Sequence, residues 1–478
     1  MGIEIGKSRF SETDFQLFQL HLKEETELLI EKVHRGEVSS DDRQVAFEIE
    51  GWLCHPTDFS PSPHNEEFLK VLDPLESSPE LGRYNVEFQS QPHLLGQGVV
   101  KELENEMNRM KQMFSKRASE VGSLFLMTGI LPTLTDHDLA SDQMTSSHRY
   151  RALAEQVMHL RAKKPMPLNI QGKESLARMQ RNIMFVSATS ALHLHLDLNP
   201  EEAVRSFNLA QILSAPMVAL SANSPYFLEK DLWEETRIPL FEQAVVTGFF
   251  TNQDNEWVGR VSFGSDYLQN SFLEFFQENC ERFPAILPVS FKEPKEAFKH
   301  LLLHNGTIWR WNRPQIRIMK DGKIKLRLEH RVMPSGPTVV DMMANCLFFI
   351  GLLKGMKWEA IAWEREIPFS KARANFYRAA ELGLAAELEW RKERFVSVRD
   401  LVLELLPLAK KGLLLYQLPP DTVNYYLDGV LAERVRSGQT GAGWQRRFVE
   451  KHGRDFRALT AAYFERQESG RPVNEWTV

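Results

Sequence analysis

The sequence predicts an α+β fold, in which an antiparallel sheet is packed by segregated helices and followed by a helical C-terminal region. Three observations lead there. Residues 45–50, 84–89, 192–197 and 324–331 alternate apolar and polar side chains with the period of a strand. Between them lie stretches whose apolar residues recur at helical spacing. From about residue 339 onward the pattern is almost wholly helical, with Leu- and Ala-rich runs and charged faces.

The elements follow in order. Ser11 and Asp14 form a capping-box pattern. Phe15, Phe18, Leu22, Leu29 and Val33 continue at roughly helical spacing until Gly36 supplies a stop. The first strand runs to about Trp52. Residues 56–79, rich in Pro, Ser, Asp and Asn, read as loop with a short helix around 66–72. After the second strand, a helix over about 98–121 places Leu103, Met107, Met110 and Phe114 on one face, where methionine serves as core filler. Residues 128–133 read as an apolar strand ending in a loop, and 134–175 as a long functional loop around a helix. The third strand leads to Asn199-Pro200, an N-cap with Pro at the first helical position, opening a helix to about Leu220. Asp321-Gly322 between two alternating runs predicts a β-hairpin over 316–332. Breaks in the tail fall at Pro368, Gly383, Pro419-Pro420 and the glycines 438, 441 and 443. The expected division is a sheet-bearing domain over 1–345 and a helical region over 346–478.

Composition narrows the function. A hydrophobic content of 43% and a charged content of 26% suit a soluble globular protein. The net charge of −6 leaves no broad basic footprint for nucleic acid, so positive charge must be concentrated locally. Three cysteines, Cys54, Cys280 and Cys346, suit a reducing compartment better than a disulfide framework. Residues 1–6 carry neither a signal-peptide pattern nor a myristoylation pattern. No apolar stretch is expected to approach the roughly 20 residues of a membrane span. The expected location is the cytoplasm. No GxxxxGK[ST], GxGxxG or nucleophile-elbow pattern occurs.

In a strand, every second side chain shares a face. Glu48 and Glu50 therefore lie together, as do His193, His195 and Asp197, and as do Arg327, Glu329 and Arg331. Polar-out alternation is the default for a half-buried strand. Glutamate, however, is depleted in strands, yet recurs here at Glu48, Glu50, Glu87 and Glu329. Carboxylates at i and i+2 repel unless a cation sits between them. If the four strands share one sheet, its open face mixes carboxylates, imidazoles and guanidiniums, which suits an enzyme acting on ATP with divalent metals.

The same segments carry a family likeness. Phe47-Glu48-Ile49-Glu50, Tyr84-Asn85-Val86-Glu87, the Thr-Gly-Ile-Leu-Pro-Thr run at 128–133, His148-Arg149-Tyr150-Arg151, residues 188–197 continuing to Asn223-Ser224-Pro225, Trp309-Arg310-Trp311-Asn312-Arg313, and the run 327–331 occur in this order. The set spans 45 to about 345 and resembles the glutamate–cysteine ligase family of the glutamine-synthetase-like fold, in the branch of the plant-type enzymes and the bacterial carboxylate–amine ligases.

The resemblance implies a sheet shaped as an active-site funnel and an ATP-dependent carboxylate–amine ligase, most nearly a glutamate–cysteine ligase of glutathione biosynthesis. In such enzymes a carboxylate attacks the γ-phosphate of ATP, and an amine converts the resulting acyl phosphate to an amide. It implies ATP and Mg²⁺ (or Mn²⁺) as cofactors. By position, Glu48, Glu50, Glu87, His193 and Glu329 become metal candidates. Arg310, Arg313, His195 and Trp309 become nucleotide candidates. Arg313, Arg327 and Glu329 become catalytic candidates, and Arg149, Arg151 and Thr128 substrate candidates. Plant-type members carry Gln and Asn where this chain has His193 and His195. These imidazoles either ligate metal or hydrogen-bond nucleotide or substrate. Expected partners are amino-acid substrates, with neither nucleic acid nor membrane, and a homo-oligomer is open. Two other readings stand beside the ligase: a kinase-like phosphotransferase, and a non-catalytic binding protein on the same fold.

Overall fold

The computed structural model describes residues 4–41 and 43–478. Of the six residues read for a leader, 1–3 lie outside the described residues. Eight strands form one sheet: β1 (Gln44–Cys54), β2 (Ser77–Pro79), β3 (Asn85–Gln89), β4 (His93–Leu94), β5 (Leu124–Leu126), β6 (Ala191–Leu198), β7 (Asn312–Ile318) and β8 (Ile324–Pro334). Their order is β7-β8-β6-β1-β3-β2, with β4 and β5 pairing opposite ends of β1. Every pairing is antiparallel, and the sheet curls into a half-barrel. The four alternating segments thus meet in one sheet.

Local signals explain most of the elements. The first helix, Glu12–His34, starts at the capping box: Asp14 N–H donates to Ser11 Oγ at 3.3 Å, and Ser11 N–H donates to Asp14 Oδ2 at 2.7 Å. The β7–β8 hairpin turns at Asp321-Gly322, where Gly322 takes a φ of +80° that suits a residue without Cβ.

Two expectations change. No strand forms over 128–133. β5 stops at Leu126, because the chain turns there to pack against residues 223–224. A Cβ on Gly129 would lie 3.0 Å from Pro334 and 3.1 Å from Ser224. The long loop at 134–175 also holds more structure than expected. It carries the helix His148–Leu160 and the first strand of a separate hairpin, Met166–Gln171 with Ser175–Gln180. That hairpin turns at Gly172, where a Cβ would stand 2.6 Å from the Leu232 backbone.

The far side of the sheet is covered by the helices Ala203–Ser221 and Val339–Trp358. The second of these corrects the reading that no stretch could span a membrane. It is long and apolar enough by length and composition, and 89% of its apolar window is buried inside the protein. Its scattered polar residues, Asp341 and Asn345 among them, break the uninterrupted run that a linear reading looks for, while the helix remains apolar on average. It crosses the helix Val398–Leu415 closely, since a Cβ on Gly412 would run into the Gly351 carbonyl. The 345/346 boundary lies inside this helix. The tail also reaches the sheet side directly: Tyr463 Oη donates to Met127 O at 3.1 Å, and Arg434 Nη2 donates to Asp341 Oδ1 at 2.8 Å.

Candidate active site

Strand register assembles the site. Glu48 lies opposite His193, and Glu50 opposite Glu87. Glu329 lies opposite His195 on one side and Arg313 on the other, and Arg327 opposite Asp197. All of these side chains share one face of the curled sheet, because residues two apart along a strand point the same way.

Two carboxylate groups result. Glu50, Glu80 and Glu87 each present an oxygen within 4.8 Å of the others. Burial pushes the Glu50 carboxyl up to about 8, with the charge of Glu87 adding to the effect. Burial and the same neighbour, Glu87, hold Glu80 well above the carboxylate range. Glu48, His195 and Glu329 form the second group, again within 4.8 Å. Glu329 is fully buried, which alone would raise it. Arg313 and Arg331 instead hold it well below the carboxylate range. Its oxygens accept Arg313 Nε at 2.6 Å and Nη2 at 3.0 Å, and also accept from Arg331 and Gln315.

The histidines separate by role. His195 Nε2 stands 3.1 Å from Glu48 Oε1, inside the second group. His193 is in neither group. Its Nδ1 stands 3.1 Å from Glu48 Oε2, and burial together with the Arg331 charge pushes it down to about 4. It is therefore a neutral imidazole that orients Glu48.

A cavity of about 160 Å³ opens over the first group and over Glu48 and His193. Arg149, Tyr150, Arg237, Trp309, Trp311, Arg313 and Arg331 line it together with the four glutamates 48, 50, 80 and 87. Arg327 lies farther along the same face and donates from Nε to Asp197 Oδ1 at 3.1 Å.

Three expected site residues fall elsewhere. Arg310 faces away from the carboxylates. Its side chain is 1% exposed and donates to Ser262 Oγ at 2.6 Å and Glu278 Oε1 at 2.5 Å, beside a different cavity. The reason is the strand period itself: Trp309, Trp311 and Arg313 face the site, so Arg310 and Asn312 cannot. Arg151 is exposed, because residues two apart on the helix His148–Leu160 point to different sides and Arg149 takes the inner one. Thr128 is 1% exposed and outside the cavity. Its carbonyl accepts Trp52 Nε1 at 3.0 Å, and its hydroxyl turns to the Asn223 carbonyl at 3.4 Å.

The candidate set read from the sequence lacked Glu80, Tyr150, Arg237 and Trp311. Tyr150 sits within the matched Arg-Tyr-Arg segment, and its Oη donates to Pro79 O at 2.9 Å, fixing the backbone beside Glu80. Trp311 was available from alternation, two residues before Arg313. Arg237 opens a short helix and carries no periodic signal.

A sequence profile of glutamate-cysteine ligase family 2 (GCS2) matches residues 25–462. No curated protein matches the chain. Among solved structures, the glutamate–cysteine ligase of Francisella tularensis in complex with AMP is similar over 90% of this chain and 90% of its own, at 12% identity and a TM-score of 0.51. The complex of the ubiquitin-like protein Pup with its ligase PafA aligns over 88% of this chain and 71% of that chain, at 10% identity and a TM-score of 0.41. A bifunctional glutathione synthetase from Pasteurella multocida aligns over 95% of this chain and 54% of its own, at 12% identity and 0.47. The curled antiparallel sheet is of the expected glutamine-synthetase-like type. Because the profile runs through almost the whole chain, the protein belongs to glutamate–cysteine ligase family 2, and with it to the ATP-dependent carbon–nitrogen ligases.

Proposed function

We propose that the protein joins a glutamate-like amino acid to an amine through an acyl phosphate, as a glutamate–cysteine ligase of glutathione biosynthesis does. The observation that carries this reading is the pair of carboxylate groups on one sheet face, with Arg149, Arg237, Arg313 and Arg331 around the same cavity. Glu50 and Glu80, which burial and the charge of Glu87 drive toward protonation, make with Glu87 a poor arrangement alone and a good one for a hard divalent cation. Glu50, Glu80 and Glu87 would hold one Mg²⁺ or Mn²⁺, and Glu48, His195 and Glu329 a second, with the imidazole favouring Mn²⁺. Bound there, such cations neutralise charge on phosphate oxygens.

The chain's own groups supply the rest. Arg313 stands over the second group and Arg327 farther along that face, so the triphosphate lies on this side of the sheet. Guanidiniums suit phosphate because their planar fork donates two parallel hydrogen bonds. Arg149 and Arg237 stand by the first group and bind the carboxylates of the amino acid. The indoles of Trp309 and Trp311 exclude water from the acyl phosphate, whose hydrolysis would waste ATP. His193, neutral at pH 7, keeps Glu48 aimed at the second group. The substrates are small amino acids. The three cysteines are free, in keeping with a cytoplasmic protein.

The test is to incubate the protein with ATP, Mg²⁺ and pools of amino acids, then detect ADP and new amides by mass spectrometry. An amide formed with stoichiometric ADP is the expected result. A phosphorylated acid without an amide would make the protein a phosphotransferase, and no ADP above background from any pair would end the ligase reading.

A further inference from the structure

Behind the cavity wall, one half-buried carboxylate ties the C-terminal region to the site. Glu242 lies on the helix Arg237–Ala244. Its Oε1 accepts Trp311 Nε1–H at 2.8 Å and Tyr377 Oη–H at 2.8 Å. Trp311 lines the cavity, whereas Tyr377 belongs to the helix Phe369–Leu382, beyond the sheet. The Trp311 ring lies 5.8 Å from the Arg237 guanidinium and packs edge-on against Phe241, with centroids 6.1 Å apart. Arg237 is itself fixed by Glu235 Oε1 at 2.7 Å and the Val332 carbonyl at 2.6 Å. Tyr377, Glu242, Trp311 and Arg237 thus form a continuous chain of contacts from the tail into the substrate cavity.

A carboxylate in this place is not explained by packing. Burial pushes it up to about 7, against the pull of its two hydrogen bonds and Arg373. Leucine would fill the volume without that penalty. What the carboxylate adds is one acceptor atom shared by two donors on different elements, and that fixes where the indole stands.

We propose that Glu242 is a positioning residue through which the C-terminal helical region sets the Trp311–Arg237 wall and hence the affinity for the amino-acid substrate. The proposal rests on the ligase reading above in placing the amino acid, rather than the nucleotide, against that wall. Glu242 touches no reactant. It acts through Trp311.

The test uses the full-length protein and the variants Glu242→Leu, Glu242→Gln, Trp311→Phe and Tyr377→Phe. Loss of one partly buried hydrogen bond to a carboxylate corresponds to about tenfold in an equilibrium constant. Glu242→Leu and Trp311→Phe are therefore expected to raise KM for the amino acid about tenfold, with KM for ATP within about twofold. Glu242→Gln keeps a carbonyl acceptor and should restore most of the affinity. The double variant Glu242→Leu with Trp311→Phe should be no worse than either single one. Equal changes in both KM values, or additive effects in the double variant, would overturn the proposal. A second readout is independent of turnover. The indole N–H resonance of Trp311, assigned from its disappearance in Trp311→Phe, should shift in Tyr377→Phe. A shift supports the anchor even if no amino-acid pair is ever ligated, a result that would count against the ligase reading alone. An unmoved resonance would overturn the anchor even in a fully active enzyme.

Discussion

Alternate residues of the same strands build two faces of opposite chemistry. On the concave face of β8 stand Arg327, Glu329 and Arg331, and their neighbours on β6 and β1 are His193, His195, Glu48 and Glu50. On the other face, one residue along, His330 Nδ1 lies 2.7 Å from Asn312 Oδ1, and its ring stacks on Phe349 at 3.9 Å. Burial, reinforced by His193, pushes His330 down to about 3, so it is a neutral, packed group. Ionised groups are gathered where reactants enter, and the face beneath the helices is kept uncharged. The concave face is divided in turn. Glu329 is neutralised by two guanidiniums. Glu50 and Glu87 instead accept from neutral donors: the Ala191 N–H at 2.7 Å for Glu50, and Ser78 Oγ at 3.1 Å and Gln89 Nε2 at 2.7 Å for Glu87. The first group lacks a paired cation at Glu50 and Glu87, while in the second Glu329 already has two.

The largest expected effect follows from that division. Glu50→Gln should lower turnover on the order of 10³-fold, the scale of losing an electrostatic stabiliser of the transition state. It should leave the thermal midpoint without metal unchanged or raised, because burial and the Glu87 charge already disfavour the ionised form of Glu50 that the amide removes. Circular dichroism with an ADP-release assay checks both. Activity within about twofold of the parent would remove Glu50 from the metal site. Glu329→Gln should behave oppositely in stability. It leaves Arg313 and Arg331 buried without their anion, which costs about 3–5 kcal/mol by urea denaturation. A loss no greater than that of Glu50→Gln would mean that the two groups do not differ as described. Metal comes next in size. Mg²⁺ at a hundredfold excess over its Kd should stabilise the parent by about 2.7 kcal/mol, and a chelator should reverse it. Most of that gain should be missing in Glu50→Gln. Retention of the full gain would place the cation elsewhere.

Much of this was legible in the sequence, and the reasons are particular. Glu48, Glu50, Glu87, His195 and Glu329 were readable because a strand's period of two assigns each side chain to a face with no tertiary information. The same rule, applied strictly to Trp309-Arg310-Trp311-Asn312-Arg313, separates Arg310 from Arg313 and adds Trp311. Reading that run by residue type instead of by parity grouped the arginines wrongly. Glu80 was hidden for another reason. It sits in a short connection between β2 and β3, and only the pairing of those two strands brings it under Glu87. Arg237 and Glu242 lie on an eight-residue helix whose place is set by long-range packing, and no local pattern encodes that. The tail read as helical, but its hold on the site runs through Tyr377 on Glu242 and Phe376 on Trp311, contacts between segments far apart in sequence.

The smallest expected effect concerns the uncharged face. His330 falls from an ordinary value of 6.5 to about 3 in the folded protein, first through burial. A depressed histidine binds fewer protons folded than unfolded below its ordinary value, so it contributes stability that is present above about pH 6.5 and drains away as pH falls toward 3. Between about pH 7 and about pH 5.5 this one group should remove about 1 kcal/mol. His330→Gln keeps an amide within reach of Asn312 but cannot take up a proton in this range. Urea midpoints of parent and variant at the two pH values isolate the term. The parent should lose about 1 kcal/mol more than the variant on acidification. Equal losses would show that the covered face does not resist charge in the way its packing against Phe349 implies, and the contrast between the two faces would then rest on the concave side alone.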